Sequence, residues 1–337
     1  MTLNIEIVAL SIFLIIFNQI CIKYNFFLDK VQNSSHKKYI TRKDLIPITG
    51  GLYLILGYLI VGKYIFNFFE IFFFFIIFLL GYLSDTLKSF LPSIRLFIQA
   101  IICLIFLFYF KVGISDVRIE TFNNLLEYNL ISYSFTLFCI LVLMNGSNFM
   151  DGVNLLSIGY FLIVLTSIFL VSENYKLELN IILVKELIMI LTFLLLMNLF
   201  NKVFLGDNGI YLLSFIVAII LIKFYNDNIL ISPYYIISLL WYPCFENLFS
   251  IIRKKIKNIN PQKADNLHLH HLLYKKFSNI RSIKIRNNLT GLSILLLNIP
   301  NFLLSSYYYS HTKTLILLII LNIVFYLIAY NYLKKSF

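Results

Sequence analysis

The chain has 337 residues, of which 60% are hydrophobic and 13% charged, with a formal net charge of +12. Its mean hydropathy is +0.86. Soluble domains carry roughly 45–50% apolar and 25% charged residues, so a water-soluble globule is excluded. The apolar runs are unbroken and lack in–out alternation, which excludes an outer-membrane β-barrel. The expected fold is all-α, a polytopic integral membrane protein. The positive charge then reads as basic loops facing anionic lipid, with no nucleic-acid partner.

A membrane-spanning helix needs about 20 mostly apolar residues. In chain order the candidate spans are 3–22, 45–62, 64–83, 94–111, 131–149, 152–172, 180–200, 210–227, 232–252, 288–308 and 313–333. The 45–62 run contains Pro47 and the Gly50-Gly51 pair, and 131–149 ends in polar residues, so the expected count is ten to eleven. The first run is long enough to span and no small-residue cleavage site follows it, so a span is expected there and not a signal peptide. The four cysteines, Cys21, Cys103, Cys139 and Cys244, all lie in apolar runs and read as small buried hydrophobes.

Lys and Arg divide unevenly among the loops. Stretches 23–44, 84–95, 201–209, 253–286 and 334–337 hold 21 of the 28 basic residues. The positive-inside rule then places the N-terminus outside and the C-terminus in the cytoplasm. It also brings four polar stretches to the same face. No internal repeat or low-complexity linker is apparent. Residues 1–337 are therefore expected to form a single transmembrane domain whose largest extramembrane piece is the basic 253–286 loop.

Acids within or beside spans are costly and usually functional. In "GYLSDTLKSFLPSIRLFIQ", Asp85 ends a span, with Lys88 and Arg95 close behind. This reads either as a cation-and-phosphate site or as a local ion pair. In "NGSNFMDGVNLL", Asn145, Asn148 and Asp151 recur every three residues and share a helical face. Their oxygens suit Mg²⁺ rather than a soft metal. The plainer alternative is a helix cap, which needs one such residue and not several. In "NKVFLGDNGIYLL", Gly206, Asp207 and Gly209 read either as an ordinary turn or as an anion-receiving helix start. In "ADNLHLHHLLY", His268, His270 and His271 lie near Asp265. Spacings of two and one do not match the zinc-helix pattern, so phosphate or sugar binding is favoured there.

In order and spacing these stretches resemble the polyprenyl-phosphate N-acetylhexosamine-1-phosphate transferases (glycosyltransferase family 4). That superfamily includes undecaprenyl-phosphate GlcNAc-1-phosphate transferase and phospho-N-acetylmuramoyl-pentapeptide transferase. The family's Asp-Asp-x-x-Lys motif falls on Ser84, Asp85 and Lys88. Its Asn-x-x-Asn-x-x-Asp-Gly motif falls on Asn145, Asn148, Asp151 and Gly152, and its Phe-(Met/Leu)-Gly-Asp motif on Phe204 to Asp207. Asn198 and Lys202 match the upstream Asn and Lys. Asp265, His268, His270 and His271 match the histidine loop in the form of the GlcNAc-transferring branch. Ser84 departs from the pattern, as does Asn154, where relatives often carry an acid. Glu246 stands where many relatives have Asp or Glu.

The resemblance implies an Mg²⁺-dependent (or Mn²⁺-dependent) phosphoglycosyl transferase of the bacterial cytoplasmic membrane, with its active site facing the cytoplasm. It would move HexNAc-1-phosphate from UDP-HexNAc to undecaprenyl phosphate, release UMP and initiate a cell-surface polysaccharide. Inner-membrane lipid is an implied partner, and a homodimer is compatible with it. The implied metal ligands are Asp207, Asp85 and Asp151. The implied substrate contacts are Lys88, Arg95, Asn145, Asn148, Asn198, Lys202, Gly206, Asp265, His268, His270 and His271. Two rivals remain: an inactive homologue serving as a scaffold, for which Ser84 is the support, and a secondary transporter, which predicts mid-bilayer polar groups in repeated halves.

Overall fold

The computed structural model describes residues 2–28, 46–62, 67–87, 90–261, 263 and 265–336. Among them the regular elements are helical, apart from an isolated antiparallel bridge between Leu28 and Pro47. In lipid every backbone N–H and C=O must be paired internally, and for chains this apolar the helix does so within each segment.

Among the described residues, ten helices are long and apolar enough to cross a membrane. They are α1 (Thr2–Tyr24), α3 (Phe68–Thr86), α4 (Pro92–Phe110), α6 (Asn129–Met150), α7 (Leu156–Tyr175), α8 (Ile181–Leu199), α9 (Gly206–Asp227), α10 (Pro233–Ile256), α12 (Ile283–Tyr307) and α13 (Thr312–Lys335). The expected 45–62 span is the shorter α2 (Gly50–Gly62), 13 residues long. At 1.5 Å per residue it reaches about 20 Å, less than the hydrocarbon core. Two short helices, α5 (Glu120–Leu126) and α11 (Leu269–Lys276), lie between longer ones.

Local sequence sets several boundaries. Pro92 and Pro233 open α4 and α10, where a missing N–H is harmless. Asn180 caps α8 by accepting from the Leu183 N–H at 3.1 Å. Ser282 does the same for α12 through the Ile285 N–H at 3.3 Å.

α9 is the central helix. Of its most apolar window 89% is buried, against 11% for the peripheral α13, whose side chains are left to face lipid. α2, α3 and α6 pack around α9. Its first turn is wedged between α2 and α3 because both present glycine. A Cβ on Gly51 would lie 1.8 Å from Asn208 Oδ1, and one on Gly81 would lie 2.4 Å from Asn208 Cα. The chain also pairs with itself there: Gly50 donates to the Phe204 carbonyl at 3.1 Å, and Phe204 to the Pro47 carbonyl at 2.9 Å.

Candidate functional site

The polar ends of α3, α6, α9 and α10 and the connection before α11 converge on one cavity of about 770 Å³. That volume lies in the usual range for a ligand pocket. Asp85, Arg95, Asn145, Asn148, Asp151, Asn198, Gly206, Asp207, Asp265, His268 and His271 all line it. Pro92, Leu96, Phe138, Leu141, Val142 and Ile251 supply apolar wall. The four polar stretches therefore meet at one end of the helical bundle.

The "GDNG" stretch is the first turn of α9, which begins four residues before the expected span start and has Gly206 at φ +71°. This puts Asp207 at a helix N-terminus and inside the cavity. Its Oδ2 accepts from Ser84 Oγ at 2.6 Å, from Arg95 Nη1 at 3.0 Å and from Tyr211 OH at 3.4 Å. Arg95 Nη1 also donates to Ser84 Oγ at 2.9 Å. Asp85, also on the cavity wall, is engaged with the start of α9: its two oxygens accept the main-chain N–H groups of Asp207 and Asn208, both at 3.1 Å, and Asn208 Nδ2 at 2.7 Å.

Asn145 and Asn148 sit in the last turns of α6, and Asp151 is the residue that ends it. Asn148 Nδ2 donates to Tyr211 OH at 2.6 Å, and Asn145 Nδ2 to the Leu141 carbonyl at 2.9 Å. Asp151 Oδ1 accepts from Ser157 Oγ at 2.5 Å. Asn198 braces the turn beyond, accepting from the Leu155 N–H at 2.7 Å and donating to the Val203 carbonyl at 3.0 Å. Asn154 joins the same brace through Asn201 and, at 2.8 Å, Asn288 Oδ1. These asparagines tie α7, α8 and α12 together.

The histidines form a packed group over the cavity. His268 Nδ1 lies 2.9 Å from Glu246 Oε1, a fully buried carboxylate whose Oε2 accepts from Tyr326 OH at 2.7 Å. The His270 and His271 rings pack against each other at 48°, with centroids 4.1 Å apart. His270 is fully buried, and neither ring nitrogen has a hydrogen-bond partner. Burial first, and then the neighbouring His271 and His268, hold its imidazole well below the usual range, so it is neutral. Burial alone would raise the Asp265 carboxyl, but His268, Arg253, the Leu267 N–H and Lys254 outweigh it and hold the group below its usual 3.8. Arg253 Nη2 reaches Asp265 Oδ2 at 2.8 Å.

Two of the expected substrate-contacting residues do not line the cavity. Lys202 is exposed and is not part of the cavity wall. His270 also stands behind the wall, against Gly152. Lys88 lies outside the described residues.

The structure adds residues that the motif reading passed over. Tyr211 links Asn148 to Asp207, and its place one helical turn after Asp207 was a readable signal. On α10, Asn247, Ser250, Arg253 and Lys254 are all buried in line with Glu246, which the family pattern had already marked. They recur at helical spacing as a polar stripe on an apolar helix, which the sequence also displays. Lys254 lines the cavity with its Nζ 4.0 Å from Asp265 Oδ2.

Among the described residues no group of three or more His, Cys, Asp or Glu side chains forms a metal-ion cage. Asp207 and Asp151 nevertheless present hard oxygens to one cavity. One or two carboxylates, completed by substrate phosphates and water, is the usual donor set for Mg²⁺. The residues fit that ion in this manner. Asp85, committed to the α9 amides, fits it least.

Comparison with known proteins places the site's elements in context. Residues 67–225 match the family described as Glycosyl transferase family 4. That region holds Ser84 through Asp207 but not the histidine loop. The chain is also similar to undecaprenyl-phosphate alpha-N-acetylglucosaminyl 1-phosphate transferase of Thermotoga maritima, with 30% identity over 98 residues. The matched stretch is 27% of this chain and 32% of that protein, so it spans about a third of the relative's length.

Proposed function

We propose that the chain is a member of glycosyl transferase family 4, whose family model matches residues 67–225, and that it transfers a sugar 1-phosphate, a HexNAc-1-phosphate, from a UDP-sugar to undecaprenyl phosphate. One observation carries this reading. Asp207, at the N-terminus of a buried helix, shares a single cavity with Asp151, Arg95, Lys254 and the His268 group, and that cavity has an apolar wall. A diphosphate with a lipid acceptor needs both kinds of lining.

In this scheme an oxygen of the lipid phosphate attacks the sugar-proximal phosphorus and UMP departs with its bonding electrons. A phosphate monoester has a second pKa of about 6, so it is mostly dianionic at pH 7 and needs no base. Ser84 in place of an acid is compatible with that. Arg95 and Lys254 supply positive charge where phosphate charge develops. Asn148 and Tyr211 hold the Asp207 carboxylate in register. His268, fixed by Glu246, closes the sugar side, and Leu96, Phe138 and Leu141 receive the first prenyl units. Mg²⁺, held by Asp207 with Asp151, would neutralise diphosphate charge and align the reacting oxygens. The Lys and Arg asymmetry supports a cytoplasmic-membrane protein with this cavity facing the cytoplasm and the product feeding surface-polysaccharide synthesis.

The test is transfer of radiolabel from a panel of UDP-HexNAc donors to undecaprenyl phosphate by the purified protein in detergent. Activity should be abolished by EDTA and nearly abolished in Asp207→Asn and Asp151→Asn. Robust turnover in either variant would overturn the roles assigned, and no turnover with any donor would favour the scaffold reading.

A further inference from the structure

Arg95 and Asp207, the arginine and the acid best placed to meet a diphosphate and its cation, are engaged with each other. Arg95 Nη1 lies 3.0 Å from Asp207 Oδ2, and with Ser84 Oγ it closes a triangle on that oxygen. Tyr211 OH approaches the same atom at 3.4 Å. Three donors on one carboxylate oxygen leave it little capacity for a cation. The guanidinium, meanwhile, keeps donors in reserve. Its Nε is buried with no partner, and its Cζ sits 5.5 Å from the Tyr211 ring centroid. Among the described residues, its hydrogen bonds are all made by Nη1.

We propose that Arg95 is a latch on Asp207, so that a divalent cation and a nucleoside diphosphate bind interdependently. This rests on the transferase reading and adds to it an order of events. With the cavity free of ligand, the guanidinium neutralises the carboxylate and repels a dication. A diphosphate offers several anionic oxygens in the geometry that an arginine fork prefers, where Asp207 offers one oxygen to one nitrogen. Arg95 swings toward the diphosphate, and Asp207 is released to the cation. Ser84 belongs to the device. An acid at position 84 would compete for Arg95, whereas the serine hydroxyl accepts from Arg95 and donates to Asp207, tightening the closed form. The coupling is reciprocal, since the cation must favour the diphosphate by the same factor.

The test is Mn²⁺ binding by electron paramagnetic resonance on the full chain in detergent, with and without UDP, each titration read against Asp207→Asn. Wild type should bind Mn²⁺ weakly alone and about ten-fold more tightly with UDP, within the usual range of such coupling. Arg95→Gln should bind Mn²⁺ alone about ten-fold more tightly than wild type and gain little from UDP. Arg95→Lys, which keeps the charge but not the fork, should bind Mn²⁺ alone as weakly as wild type and gain less from UDP. A variant that merely damaged the fold would lose Mn²⁺ affinity, so a gain separates the latch from a structural role. If Arg95→Gln binds Mn²⁺ no better than wild type, while UDP tightens both equally, the latch is wrong and the transferase reading stands. If wild type with UDP binds no more Mn²⁺ than Asp207→Asn, the reading itself falls and the latch with it.

Discussion

Asp85 accepts two hydrogen bonds from Asn208, one from its main-chain N–H at 3.1 Å and one from its side-chain Nδ2 at 2.7 Å. With the Asp207 N–H added, the carboxylate of α3 caps the first turn of α9 from outside that helix. The first amides of a helix have no intrahelical partner, and a carboxylate also complements the positive end of the dipole. An acid that reads as a metal ligand in sequence thus holds the central helix, and with it Asp207, in place.

Asp85 and Asp207 should therefore fail differently. Asp85→Ala strands three donors, at about 1–3 kcal/mol for each one left unsatisfied. It should lower both the melting temperature and turnover. Asp207→Asn should abolish turnover with a smaller change in melting. Thermal unfolding in detergent, measured beside transfer activity, separates the two, and equal melting losses would contradict the capping role.

Ser84→Ala removes one donor to Asp207 and one acceptor from Arg95. A net hydrogen bond is worth about 1 kcal/mol, and these belong to the closed form, so kcat/KM should change by less than about ten-fold and not fall to background. A steady-state comparison in one membrane preparation checks this. Background activity would show that the hydroxyl takes part in the reaction directly.

A Cβ at position 152 would come within 2.8 Å of His270 Nε2. His270 is fully buried, so its ring has little room to withdraw. Overpacking of this kind costs about 1–3 kcal/mol. Gly152→Ala should reduce activity about ten-fold or more by displacing the histidine group. The clash disappears when the ring is removed, so Gly152→Ala with His270→Ala should be no worse than His270→Ala alone. Additive losses in the double-mutant cycle would show that the two positions do not touch.

The histidine loop should loosen in acid in two stages. His270 has a depressed folded pKa, so its contribution is present above the unfolded value of about 6.5 and is lost as pH falls below it. Asp265 is also depressed, so its contribution is present above its usual 3.8 and is lost as pH falls through the lower folded value. Amide exchange across residues 265–276 should accelerate first below about pH 6.5 and again below pH 4. His270→Phe should remove the first stage and Asp265→Asn the second. A loop equally protected at pH 5 and pH 7 in the parent chain would rule out the first stage.

Much of the architecture was legible in the sequence. Runs of Ile, Leu, Phe and Val can only bury themselves in lipid, and lipid admits helices, so the ten long helices follow from composition and length. The motif residues were legible too, because acids and amides are conspicuous against such a background. Their division of labour was not. Asp85, Asp151 and Asp207 look alike in a string of letters. Whether a carboxylate faces a cavity or a helix N-terminus depends on which helix end lies across from it. Likewise Asn154 and Asn198 line the cavity, and only the structure shows that they also brace α7, α8 and α12.

By itself, then, the sequence determined an all-helical membrane protein with polar chemistry gathered at helix ends, because hydropathy and period are local properties that each segment carries alone. Only the tertiary structure decided that Asp85 caps α9, that Ser84 and Arg95 close on Asp207, that Tyr211 ties Asn148 to the same carboxylate, and that Glu246 holds His268. Apart from the Tyr211–Asp207 step within α9, each of those is a contact between residues on separate elements. Their energies depend on distances of about 3 Å that packing sets and local sequence does not.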